Sequence, residues 1–198
     1  MLRASVSALR KMTTNVTGNP LKMIWIDCEM TGLDYMKQTL VEIAVIVTDG
    51  QLENVVEGPN IVIHQPESVL DTMEQWPRDM FEKNGLLEKI RSSKINMEEA
   101  ENQVLEFLEK HTKKNECPLA GNTVYMDKCF IERYMPRLAE HLHYRIIDVS
   151  TVKELARRWH KKDYNNAPKK IQTHRALDDI KESIAELKYY RQAVFKQS

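Results

Sequence analysis

Hydrophobic and polar positions change their spacing several times along the chain, and each change marks an element. Residues 23–30 (MIWIDCEM) open as an apolar run of strand length and predict a first strand. The run TLVEIAVIVTDG, at 39–50, predicts a second strand closed by an Asp-Gly turn signal. NIVIHQ, at 60–65, closes a third, and the short connections predict an antiparallel meander. Residues 67–93 read as short helices broken at Pro77 and Gly85. Met97, Ala100, Val104, Phe107 and Leu108 recur at helical spacing behind Asn96, a favoured helix cap. CPLAGN then predicts a short buried strand, and TVYMDKCFIERYMP a helix ending near Pro136. YRIIDVS predicts another strand, TVKELARRW a helix, and KKDYNNAPKK a polar loop. The last helix carries Ile180, Ile184, Leu187 and Val194 on one side. Five strands alternating with helices predict an α/β domain: a mixed five-stranded sheet flanked by helices.

Composition narrows the function classes. The 198 residues suit one domain with a sizeable core. Lys+Arg and Asp+Glu both number 29, so the formal net charge is zero. That speaks against a long nucleic-acid track, which needs a strongly basic surface, but not against a short polyanion held through metal ions. No apolar run approaches the roughly 18 residues of a membrane span. Cys28, Cys117 and Cys129 are odd in number and lack a Cys-x-x-Cys pair, so they read as free thiols in a reducing compartment. The chain divides into a basic segment, 1–22, and a domain, 23–198. The segment holds Arg3, Arg10, Lys11 and Lys22, several Ser and Thr, and no acid. It suits a mitochondrial transit peptide, or else a tail with no address. Met12 and Met23 are alternative starts that would remove the address and leave a cytoplasmic or nuclear form.

Four acids in three stretches of the chain carry the chemistry. Asp27 and Glu29 end the first strand two residues apart, so they project from the same face. At 29 acids in 198 residues, chance gives about four such pairs, so the pair alone means little. Its place at the end of a core strand, before a Gly-containing turn, raises its interest, because close carboxylates stay ionised together only with a cation between them. Asp127 follows GN on a helix where Thr123 shares its face. Asp179 borders the buried stripe of the last helix. His174 stands five residues earlier, about 140° away on a continuous helix, so it belongs to the turn entering that helix. There it can lean over a site that Asp179 lines and serve as a general base.

Together, Asp27-x-Glu29, Asp127 after GN, and His174 separated by four residues from Asp179 resemble the DEDD exonucleases of the His-containing subclass. WIDCEMTGLD, PLAGN, YMP, HYRIIDVSTVKELARRW and HRALDDIKESIAELKYYR are similar to the oligoribonucleases, from Met23 to about Phe195. This resemblance implies an RNase H-like fold and two divalent metals, Mg²⁺ or Mn²⁺, held by Asp27, Glu29, Asp127 and Asp179. Two such metals, roughly 4 Å apart, serve an in-line displacement. It implies His174 as the base that activates water, and 3′→5′ hydrolysis of short RNA, chiefly dinucleotides, to nucleoside 5′-monophosphates. It further implies that Leu33 and Trp76 contact bases, and that Thr123, Arg145, Ser150 and Thr151 hold a 5′-phosphate. Tyr144 would come from the other subunit of a homodimer. Read without the resemblance, Trp76 suits a core aromatic, and Tyr144 and Arg145 a strand edge. Thr123 stands where Ser is commoner, and Cys28 where Leu is commoner. The competing readings are an exonuclease acting on longer RNA or DNA ends, and a non-catalytic RNA-binding protein on the same fold.

Overall fold

The structure, a computed structural model, describes residues 21–169 and 174–196. Residues 1–20, most of the basic segment, lie outside the described residues. The elements run β1 (Met23–Met30), β2 (Leu40–Thr48), β3 (Val55–Val62), α1 (Glu67–Leu70), α2 (Gln75–Asn84), α3 (Leu86–Ser92), α4 (Met97–His111), β4 (Pro118–Gly121), α5 (Tyr125–Tyr134), α6 (Pro136–His141), β5 (His143–Asp148), α7 (Val149–Trp159), α8 (Lys161–Asn166) and α9 (Ala176–Ala193). The strands form one mixed sheet in the order β3-β2-β1-β4-β5, antiparallel from β1 to β3 and parallel across β1, β4 and β5. The predicted α/β architecture, its meander and its five strands are all present.

Strand alternation sends side chains into two separate cores. On one face Ile24, Ile26 and Cys28 meet Val104 and Leu108 of α4, Phe130 and Ile131 of α5, and Leu138 of α6. On the other face Met23 and Trp25 meet Val149 of α7 and Ala176, Ile180 and Ile184 of α9. Asp27 and Glu29 continue the Trp25 face by the period of two. They therefore emerge where α9 crosses the strand ends. All nine residues of β2 are buried, which gives β1 a rigid neighbour. A third cluster, built on Leu70, Phe81, Leu86 and Ile90, anchors α1 to α3 beyond the strand ends.

Four local expectations change. The third strand begins at Val55, five residues before NIVIHQ, although Gly58 and Pro59 look like breakers. Because β3 is an edge strand, a missing proline N–H disturbs little there, and the irregularity opposite Ala44 and Ile46 absorbs the pair. Pro136 ends one helix and starts another: it stands at the first position of α6, where proline is welcome. Buried Glu101 of α4 caps α6 by accepting the N–H groups of Arg137 at 2.8 Å and Leu138 at 3.1 Å. The polar stretch after Trp159 contains α8 rather than only a loop. Since α8 buries no residue, it has no apolar period to read; a Tyr189 hydroxyl donating to the Asp163 carbonyl at 2.7 Å ties it to α9. Thr123 precedes α5, with φ of 53°, so it shares no helical face with Asp127.

Phe130 is fully buried one turn beyond Asp127, and its ring helps dock α5 on the sheet. Phe130→Ala is expected to lower unfolding stability by about 3–5 kcal/mol. Urea titration at equilibrium measures this, and a loss below about 1 kcal/mol would mean that α5 is held by other contacts.

Candidate active site

A cavity of about 560 Å³ opens beside the end of β1 and is lined by Asp27, Glu29, Leu33, Trp76, Asn122, Thr123, His174 and Asp179, among others. Oxygen or nitrogen atoms of Glu29, His174 and Asp179 lie within 4.8 Å of one another. These residues come from a strand, the segment before α9, and the first turn of α9. Asp27 lines the same wall. Asp127 sits behind it, almost fully buried, and accepts the Cys28 backbone N–H at 2.9 Å. The thiol of Cys28 belongs to the core cluster on the opposite face from Asp27 and Glu29, as strand alternation requires. Cys28 and Cys117 are buried free thiols; Cys129 is half-buried and also free.

Collecting these acids is electrostatically expensive. Burial, with Asp179, Glu42 and Asp127 adding to it, pushes the Glu29 carboxyl from 4.5 to about 8, while Arg175 opposes the rise. Burial pushes Asp127 from 3.8 to about 7, against the N–H of Cys28, which favours its charged form. Oxygen-rich, charge-loaded donors of this kind fit a hard divalent cation, which compensates what the protein alone leaves uncompensated.

One partial compensation is built in, and sequence reasoning missed it. Glu42 of β2 stands across from Glu29 and is completely buried. It accepts a two-pronged hydrogen bond from Arg175, at 2.7 and 3.1 Å. The Arg175 backbone N–H in turn donates to Asp179 Oδ2 at 3.1 Å. The available signal was a glutamate interrupting the otherwise apolar LVEIAVIVT.

His174 enters this arrangement as expected, in the turn before α9, whose N-terminal cap is Arg175. Its φ is 51°, a left-handed conformation that costs roughly 1–3 kcal/mol for a non-glycine residue. The imidazole packs edge-on against Trp76, with centroids 5.2 Å apart and planes at 89°. Trp76 is 63% exposed and Leu33 65% exposed, so neither is a core residue. They meet in the cavity because the Glu74 N–H donates to the Thr31 carbonyl at 2.9 Å, pinning the start of α2 to the turn after β1. Gly32 lies in that contact, where a Cβ would run into the Glu74 side chain.

A second group of polar residues joins the cavity at its other end. Asp148 caps α7, accepting N–H groups from Ser150 at 2.8 Å and Thr123 at 3.0 Å. The Thr123 and Ser150 hydroxyls lie 3.1 Å apart. Ser150 donates to Asn122 Oδ1, Asn122 to Ser183 Oγ at 2.7 Å, and Ser183 to the Asp179 carbonyl at 2.7 Å. This chain of bonds, also absent from the sequence reading, ties the Thr123 corner to α9. Thr151 is exposed on the first turn of α7. Tyr144 and Arg145 are not brought to this cavity. They lie on edge strand β5, Tyr144 71% exposed and the Arg145 guanidinium 5.2 Å above its ring.

The chain is similar to known nucleases along most of its length. A family profile described as exonuclease matches residues 24–187. A probable oligoribonuclease of Caenorhabditis elegans is 59% identical over 177 residues, covering 89% of this chain and 91% of its own. The mitochondrial oligoribonuclease of Homo sapiens is 50% identical over 176 residues, covering 89% and 74%. The oligoribonuclease of Bordetella pertussis is 47% identical over 181 residues, covering 91% and 99%. Among solved structures, Escherichia coli exonuclease I in complex with a dT13 oligonucleotide aligns with a TM-score of 0.64 at 15% identity. That alignment covers 87% of this chain but 41% of exonuclease I, so the chain spans about two fifths of that protein, and the likeness concerns the fold alone. Matched along nearly its whole domain by profile and relatives alike, the chain belongs to the exonuclease family and, within it, to the oligoribonucleases.

Proposed function

We propose that the chain is a 3′→5′ exoribonuclease that degrades short oligoribonucleotides, chiefly dinucleotides, to nucleoside 5′-monophosphates. The observation that carries the reading is the convergence of Glu29, His174 and Asp179 in one cavity with exposed Leu33 and Trp76. Its enzyme class follows from the family. Divalent-metal dependence also goes with the family, and the donor set fits it. Asp27, Glu29, Asp127 and Asp179 are the residues to hold two ions, Mg²⁺ or Mn²⁺. When bound, such ions act as Lewis acids on the oxygens of an in-line phosphoryl displacement.

The chain's own residues supply the rest. His174 takes a proton from the attacking water at the 3′-terminal phosphodiester. A new P–O bond forms, the bond to the preceding 3′-oxygen breaks, and a nucleoside 5′-monophosphate leaves. Leu33 and Trp76 hold bases, with stacking on the Trp76 ring worth about 1–3 kcal/mol and tolerant of sequence. Thr123, Ser150 and Thr151 hold a 5′-phosphate, which stops the channel after a short substrate; Arg145, expected to share this role, lies on β5 outside the cavity. Tyr144 faces away from its own cavity, so its role requires the second subunit of a homodimer. The exposed Ile146, Leu155 and Trp159 around β5 and α7 support such an interface. The mitochondrial address read from residues 1–22 is supported by the names of the human, mouse and bovine relatives; a start at Met12 or Met23 would give a cytoplasmic or nuclear form.

Three outcomes test this reading. Turnover of 5′-phosphorylated RNAs from two to ten nucleotides peaks at two, and His174→Ala lowers kcat about 10²- to 10⁴-fold while the fold survives. A flat length profile removes the phosphate cap, and an unimpaired His174→Ala removes the base. For the carboxylates, pH sets the sign. Below 4.5, both folded and unfolded chains hold the Glu29 proton; between 4.5 and about 8 only the folded chain does. Stability from this group is therefore lost as pH rises through that window. A divalent cation offsets the loss, so Mg²⁺ or Mn²⁺ raises the melting temperature more at about pH 8 than at about pH 6. Equal shifts at both pH values in thermal melts would contradict it. Finally, inactive Asp27→Ala and impaired Tyr144→Ala subunits, mixed and reassembled, recover activity in the hybrid; no recovery would place Tyr144 outside the site.

A further inference from the structure

Thr123 and His174 both line the cavity with left-handed backbone, and of the two His174 carries the side chain read as the base. Its left-handed φ of 51° is uncommon for any residue other than glycine, and it persists only where neighbours over-determine it. On the α9 side the restraint is Arg175, tied by its guanidinium to buried Glu42 and by its N–H to Asp179. On the opposite side, among the described residues, a side chain at the end of α2 reaches the His174 main chain. Asn84, the last residue of α2, donates from Nδ2 to the His174 carbonyl at 2.9 Å. Its other amide atom is also engaged, because Asn84 Oδ1 accepts the Leu86 N–H at 3.0 Å at the start of α3. That bond orients the amide, so the N–H₂ group points at His174 rather than turning freely. Gly85, with φ of 77°, makes the turn between α2 and α3 that allows both bonds.

We propose that Asn84 is a positioning residue that holds the His174 backbone in its left-handed conformation and so aims the imidazole into the cavity. The inference rests on the reading of His174 as the base. α2 then grips His174 twice. Asn84 at its end holds the main chain, and Trp76 near its start packs against the ring. A substrate base resting on Trp76 bears on the same helix that orients the base catalyst. Binding and proton transfer are thereby mechanically joined through one rigid element. Asn84 touches neither substrate nor reacting atoms, so its effect belongs to kcat rather than to KM.

Asn84→Asp separates this role from helix capping. The carboxylate keeps an oxygen for the Leu86 N–H but presents no donor to the His174 carbonyl. The expected result is a kcat lowered about 10- to 100-fold, since small misplacements of a catalytic group have effects of that size. KM stays within about twofold, and the melting temperature within about 2 °C. In metal-free labelled protein, the backbone chemical shifts of His174 lose their left-handed signature. Asn84→Ala, which removes both bonds, shows the same kcat loss together with a lower melting temperature. The inference is overturned if Asn84→Asp keeps the parental kcat and the His174 shifts while only Asn84→Ala is impaired, for Asn84 would then serve α3 alone. The parent and His174→Ala run alongside. An inactive parent, or an active His174→Ala, would instead overturn the reading of the base itself.

Discussion

Like charges repel, and burial strengthens the repulsion; gathering Glu29, Asp127 and Asp179 around the end of one strand therefore requires everything near them to be stiff. The sheet supplies that stiffness. β1 lies between fully buried β2 and parallel β4, and its two faces are packed by separate cores. A carboxylate at the end of such a strand cannot relax away without disturbing Ile26 or Trp25 beside it. The raised Glu29 and Asp127 carboxyls record chiefly their burial, with Asp179, Glu42 and Asp127 adding to the rise at Glu29. Arg175 relieves part of it from below, through Glu42, and leaves the remainder for divalent cations.

Confinement also explains how a chain with no net charge handles a polyanion. A long nucleic acid is held by many phosphate contacts spread over a basic surface. Under the proposed function, a dinucleotide offers few phosphates and two bases, so stacking on Trp76 and apolar contact with Leu33 would carry more of the binding, and the phosphates would be met locally. The Thr123–Ser150 corner, joined to Asp179 through Asn122 and Ser183, sets the far end of the cavity. The Thr123–Ser150 corner and the acid-bearing start of α9 thus share one framework of hydrogen bonds. The β5 edge carries exposed Tyr144 and Arg145 outside this cavity.

Much of the fold was legible because the main elements carry strong periodicity. The apolar runs of β1 and β2 and the stripes of α4 and α9 fall where they were expected, and the Asn96 side chain accepts the Glu99 N–H at 2.9 Å as a cap should. The misreadings fall where periodicity is weak or overridden. β3 tolerates Gly58 and Pro59 only because it lies at an edge, and edge position is a property of the sheet rather than of the strand. α8 buries nothing and is held by a tyrosine of α9, so no pattern of its own announces it. Asp27, Glu29, Asp127, His174 and Asp179 were readable as candidates, since acids at a strand end, behind GN and beside a buried stripe break their local patterns.

Local spacing determined which residues share a face: Asp27 with Glu29, and Asp179 beside Ile180. It also placed His174 outside the last helix, because five residues turn a helix too far for His174 and Asp179 to meet on it. The mixed sheet with its meander followed from strand lengths and short connections. Only the tertiary structure decided which distant side chains meet. Glu42 pairs with Arg175, 133 residues away, Asn122 reaches Ser183, and Asn84 reaches His174. None of these pairs has a local signature, because a hydrogen bond between separate elements depends on how the sheet twists and where each helix crosses it. The same holds for Trp76. Its sequence setting suits a core aromatic, and the turn at Gly32 and the start of α2 leave it instead exposed against His174.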